Sequence, residues 1–294
     1  MAGLSDYSAQ ALINWATGNR SMPATANRFL ALFTTAPTSD AGTGGTEVST
    51  SGTAYARVQV AGAITAAGAI STGASTITMP NVSGYPWVLA GMNVYDATAG
   101  VQIGTVQTWT GTTLTLTGNA ANNGSGSTDS LIFSAFPAAS ASSGTEPSVT
   151  PAQAATGAAV SFPQSTASWG TVVAIGVYDA VTSGNLIWFD FLGNYKWSPF
   201  SCTLASPGVL TVNDVTFTNG QYAVVTSKFG GALPTTGGSW SGVLTVAGVS
   251  GQTFNLGVNT TGAGDGLVRQ VVQQVVPSSN VVTFSSGQLI LSAA

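Results

Sequence analysis

Trp169-Gly-Thr-Val-Val-Ala-Ile-Gly-Val-Tyr178 is nearly all apolar and β-branched, and its reading decides the fold class. A short run of this composition reads as a central strand of a sheet. Residues 179–184 supply a turn, and Asn185-Leu-Ile-Trp-Phe-Asp-Phe191 follows as a second apolar strand. Together the two runs predict a hairpin.

Upstream of that hairpin, Arg28-Phe-Leu-Ala-Leu-Phe-Thr-Thr35 reads as a buried strand, closed by Ala36-Pro37 and a Gly/Thr-rich turn region. Residues 54–60 alternate, which predicts a strand with Tyr55, Arg57 and Gln59 on one face and Ala56, Val58 and Val60 on the other. Short Thr-rich strands follow at 75–79, 91–95, 101–106, 112–117 and 129–133, separated by turn residues. That spacing suits a small all-β barrel or sandwich. By composition, 122–126 is a flexible turn and 138–157 a linker or long surface loop. Strands resume at 158–162.

Downstream, 193–277 is a second Thr/Gly/Val-rich region. It holds Gly208-Val-Leu-Thr-Val212 and Gly242-Val-Leu-Thr-Val246, the same five residues twice. Residues 267–276 read as a strand in preference to a short helix. Val281-Val-Thr-Phe, a Ser-Ser-Gly turn and Gln288-Leu-Ile-Leu-Ser292 predict a hairpin-like ending.

Only residues 4–18 have a convincing helical pattern. Ser5 or Asp6 can cap the start, Leu4, Tyr7, Ala11, Leu12 and Trp15 recur at helical spacing, and Gly18 ends it. This apolar stripe must pack on something, either the protein's own sheet or a neighbouring subunit.

Composition narrows the function. Charged residues make up 5% of the 294, against about 25% in an ordinary protein. With 7 Trp, 7 Tyr, 12 Phe and a net charge of −4 the chain should fold rather than stay disordered. So few charges give weak electrostatic protection against association, which suits burial in an assembly. A compositional bias of the genome is the plainer alternative; burial in an assembly is the preferred reading. The 6 basic residues, Arg20, Arg28, Arg57, Lys196, Lys228 and Arg269, are scattered, which argues against nucleic acid as a partner. The expectation is no secretion signal and no membrane span, since no run reaches ~18 apolar residues. Cys202 reads as a small core residue.

Chemistry is sparse. There is no histidine, which removes the commonest general base and zinc ligand. Ten carboxylates lie far apart in sequence. Asp179 and Asp190 flank one hairpin and could approach each other, but Asp179 begins a turn and Asp190 alternates out of an apolar strand. Gly262-Ala-Gly-Asp-Gly266 lacks the strand, helix and lysine of a phosphate loop, and Asp265 alone cannot make a calcium site. No catalytic, cofactor-binding or metal residue is assigned. Two loop aromatics remain: Trp87, in Tyr85-Pro86-Trp87, plugs a small barrel or meets a partner. Trp197, near Tyr195 and Pro199, is open to either role. The candidate interface set is therefore Leu4, Tyr7, Leu12, Trp15, Trp87 and Trp197.

Several segments together resemble a family of bacteriophage and prophage virion proteins commonly labelled phage tail fiber protein. They are Leu4-Ser-Asp-Tyr7, Leu30-Ala-Leu-Phe-Thr-Thr-Ala-Pro37, Gly44-Gly-Thr-Glu-Val48, Tyr55-Ala-Arg57, Phe162-Pro163, Ser168-Trp-Gly-Thr-Val172, Tyr178-Asp-Ala180, Gly184-Asn-Leu186 and Ser286-Gly-Gln-Leu-Ile-Leu291. Members of that family run to about half this length. The resemblance implies a core split by two insertions: 1–61, 137–192 and 281–294 form the core, 62–136 a small inserted β-barrel and 193–280 a second inserted β-module. It transfers no active residue.

The expected fold is all-β, a jelly-roll-like or related sandwich carrying two small β-modules, with one N-terminal helix. The expected role is a non-enzymatic virion protein assembled in the host cytoplasm. One form is a capsid decoration or cement protein, a homo-oligomer (a trimer by preference) seated on the major capsid protein. The alternative is a tail fibre or tail-tip component beside other tail proteins, where a host glycan is a possible contact. Neither form implies a nucleic-acid or membrane partner.

Overall fold

The computed structural model describes residues 3–19, 27–37, 44–68, 70, 73, 75–117, 129–137, 152–193, 197–228 and 232–293. The turn expected at 122–126, most of the linker expected at 138–157, and Arg20, Tyr195 and Lys196 lie outside them.

Phe29, Leu30, Ala31, Leu32 and Phe33 are all buried in the strand Arg28–Thr35. Successive side chains on a strand face opposite ways, so an unbroken buried run requires cover on both faces. Two antiparallel neighbours flank it, Ala174–Tyr178 on one side and Val58–Thr65 on the other. The predicted hairpin is present, with Ala174–Tyr178 paired to Leu186–Phe191. Within it Gly176 leaves room for its neighbours: a β-carbon there would lie 2.7 Å from Phe33 and 2.9 Å from Leu186.

The run 169–178 is not one strand. It changes partner at Val173, whose amide bonds to Phe33 O. Gly170–Val172 pairs instead with Gln274–Val276. Residues 54–57 also depart from expectation. Ala54 takes a positive φ of 56°, the strand begins only at Val58, and Tyr55 turns inward to 3% exposure.

The larger sheet has eleven strands. Its order runs Gly3–Leu4, Leu186–Phe191, Ala174–Tyr178, Arg28–Thr35, Val58–Thr65, Ser130–Ser134, Asn93–Asp96, Val101–Thr110, Thr113–Thr117, Thr76–Thr78, and Thr46–Glu47 adds to Arg28–Thr35. The Thr-rich strands expected between 62 and 135 therefore continue this sheet through the pairing of Val58–Thr65 with Ser130–Ser134. Their apolar alternates, such as Ile77, Val94, Leu114 and Phe133, join one core with Leu30, Leu32, Trp169 and Ile175.

The described strands from Ser198–Cys202 to Gly264–Val271 make a second, seven-stranded sheet with its own core of Phe200, Leu210, Val212, Phe217, Phe254 and Val268. The repeated pentapeptide meets two environments. Val209–Val212 lies inside this sheet, whereas Leu244–Thr245 is an edge. Residues 267–276 are extended, as expected, in Gly264–Val271 and Gln274–Val276.

The closing segments form no hairpin with each other. Thr283–Phe284 pairs with Val160–Ser161, and Ile290–Ala293 with Ala152–Ala155. The chain end is thus tied to two separate earlier ribbons. The architecture is all-β with one N-terminal helix, Asp6–Ala16.

Candidate functional site

Most of the motif segments converge on one point. Arg57 donates from Nε and Nη2 to the two oxygens of Glu47, at 2.9 and 2.7 Å. Its Nη1 donates to the carbonyls of Ala180 and Ser183, at 2.9 and 2.7 Å. The Tyr55 hydroxyl donates to Glu47 and accepts from the Leu32 amide, both at 2.9 Å. Burial, reinforced by the Glu47 carboxylate, pushes that phenol well above its ordinary pKa. Around it, Trp169 meets Tyr55 edge-on at 5.3 Å and Phe162 stacks at 6.1 Å. Trp169 Nε1 donates to Thr53 O at 2.8 Å. Asp179 accepts from both the amide and the side chain of Asn185, closing the hairpin turn. Every one of these groups is spent on holding strands together, so the knot is a structural lock with no reactive group left over.

The N-terminal helix has the opposite character. Ser5 caps it, accepting from the Ser8 amide at 3.3 Å, and Gly18 follows it with φ 72°. Ser5 itself is buried and ties the helix to the sheet: its hydroxyl donates to Leu186 O and its amide to Ile187 O. No residue within the helix is buried. Leu4, Tyr7, Leu12, Ile13 and Trp15 are 39%, 44%, 40%, 61% and 53% exposed.

The two loop tryptophans are half-buried. Trp87 packs edge-on to Phe133 at 6.3 Å, beside a Tyr85–Trp109–Phe133 stack. Trp197 lies under the Arg269 guanidinium, 5.7 Å from its ring centre. Cys202 is buried, as expected, which raises its thiol pKa. Asp265 makes an exposed ion pair with Lys228.

Asp190 corrects the sequence reading. It does not point out of its strand but is 5% exposed, paired with Arg269 across the junction of the two sheets. Arg269, 2% exposed, also donates to Phe191 O at 2.7 Å, and beside it Val272 N donates to Leu192 O. Pattern reading missed this pair because 79 residues separate its partners. An aspartate in the apolar run 185–191 was the one available signal. Among the described residues, no group of three or more His, Cys, Asp or Glu could hold a metal ion, and no helix is long and apolar enough to cross a membrane.

A lock of shared motif residues, two β-sheets and an apolar helix held outside the core define an all-β structural protein. Its identity is narrower than that. A family described as podophage GP4 fiber I protein gp80 matches residues 3–130 and 111–197, and the chain belongs to this bacteriophage fibre family. No curated protein and no solved structure matches it. Membership makes the chain a virion component. Of the two expected roles it favours the fibre; the expected capsid cement role gains no support from it.

Proposed function

We propose that the chain is a non-catalytic structural subunit of a phage tail fibre that assembles through its N-terminal helix with a second copy of itself. The observation that carries this, beside the fibre family, is the 11-residue helix Asp6–Ala16 with no buried residue and an exposed apolar face. A helix this short is marginal in water without tertiary packing. Covering Leu12, Ile13 and Trp15 returns about 25 cal/mol for each Å² removed from water. A trimer is the stoichiometry we favour, with other tail proteins beside it. Trp87 and Trp197 offer part of each ring to such neighbours. We also read 62–136 and 193–280 as additions to a core of 1–61, 137–192 and 281–294. In support, the described strands from Ser198–Cys202 to Gly264–Val271 have their own sheet and their own apolar core.

Two measurements test this. In analytical ultracentrifugation the full chain should sediment as an oligomer, and Leu12→Ser/Trp15→Ser should reduce it to monomer that keeps the wild-type circular dichroism and loses only the stability that assembly adds; a monomeric wild type overturns the helix contact. Gold labelling of intact virions should decorate the tail. Label spread over the icosahedral shell overturns the fibre role.

A further inference from the structure

We infer that the helix of one copy seats its Trp15 face in a cleft of the next copy, the cleft that opens where the two sheets join. This rests on the helix-mediated assembly proposed above and names the receiving surface. The cleft measures about 470 Å³, enough to admit bulky side chains. Its walls are mixed: the buried apolar side chains Ile175, Trp188, Val276 and Leu289 stand beside the polar Asp190, Arg269, Gln274 and Gln288.

Three features specify the occupant. First, Val272, Val275 and Val281 line the cleft yet are 50%, 61% and 54% exposed. A small molecule inside would leave these valines wet, whereas a polypeptide surface covers cleft and rim together. Second, the charges among the lining residues are Asp190 and Arg269, which neutralise each other. A charged occupant would be desolvated with no counter-charge to meet it. Third, the Asp190 side chain keeps 8% of its surface, so its carboxylate can accept a hydrogen bond from an uncharged donor.

The required group is an apolar body with a neutral N–H or O–H, which describes a tryptophan or tyrosine. The chain displays both on its helix: Trp15 and Tyr7 stand beside Leu12 and Ile13, and Asp6 is the helix's one charge. Those helix residues are prominent among the exposed large apolar side chains, and the described residues of the same copy leave about half of each uncovered.

The test uses the full chain. Ile13→Cys and Val275→Cys proteins are made separately, mixed, and oxidised; the native Cys202 is buried and does not compete. A disulfide-linked dimer should form in the mixture and not in either protein alone. Val275→Glu and Val281→Glu should each weaken assembly at least about tenfold, the scale of one desolvated charge. Trp15→Phe, which keeps the ring and loses the N–H, should weaken it less. If the wild type assembles but the mixture gives no cross-link and the glutamates change nothing, the cleft is overturned and the helix contact stands. A wild type that does not assemble overturns both.

Discussion

The Arg57 guanidinium lies 3.5 Å from the ring centre of Tyr178 while two of its nitrogens hold Glu47. The residues come from three separated motifs, and their meeting fixes the central hairpin against the strand Arg28–Thr35. A planar fork can stack and bond four oxygens at once, which an ammonium cannot. Arg57→Lys should therefore cost about 2 kcal/mol, despite the kept charge. Urea unfolding of the two proteins measures it, and equal midpoints would refute the lock.

Tyr55 tests the same lock from inside. Its hydroxyl serves both the Leu32 amide and Glu47. Tyr55→Phe keeps the stacked rings but strands a buried donor, at about 1–3 kcal/mol. Arg57→Lys and Tyr55→Phe should be non-additive in a double-mutant cycle, because both act through Glu47.

Burial pushes the Asp190 carboxyl above its ordinary value of 3.8, against the pull of Arg269. The native state then holds this proton more tightly than the unfolded chain does. Between the two pKa values unfolding releases a proton, so raising the pH through that window removes stability. Wild type should lose stability relative to Asp190→Asn as pH rises above 3.8. Near neutrality Asp190→Asn keeps an acceptor for Arg269 but leaves its buried guanidinium without a counter-charge, so it should destabilise, though less than Asp190→Ala. Asp190→Ala removes that acceptor and should cost about 3–5 kcal/mol. Denaturant titrations across pH separate these outcomes.

Ser5 is both helix cap and sheet anchor. Ser5→Ala should cost about 1 kcal/mol of local stability. Amide exchange over residues 6–16 should accelerate while exchange over 28–35 stays unchanged. Uniform acceleration would mean that the helix is integral to the core.

Gly176 faces Phe33 and Leu186 too closely for any side chain. Gly176→Ala should destabilise by about 1–3 kcal/mol through overpacking of a filled core. Thermal unfolding reads this directly.

The sequence by itself determined the local elements. The Thr-rich strands and the capped helix are legible because burial on one face imposes a period of two on strands and near 3.6 on helices, and the run at 28–35 and the hairpin flanking 179–184 because burial on both faces leaves a short continuous apolar run. The same elements could not reveal their partners. Val173 splits the longest apolar run because Phe33 and the ribbon Gln274–Val276 compete for its two halves. The closing segments look like a hairpin and separate for the same reason. Asp190 read as outward-facing because its counter-charge, Arg269, lies on another sheet. The helix stripe was visible, but its exposure was not. Pairing, ion-pair closure and exposure depend on contacts between residues remote in the chain, and only the tertiary structure brings those together.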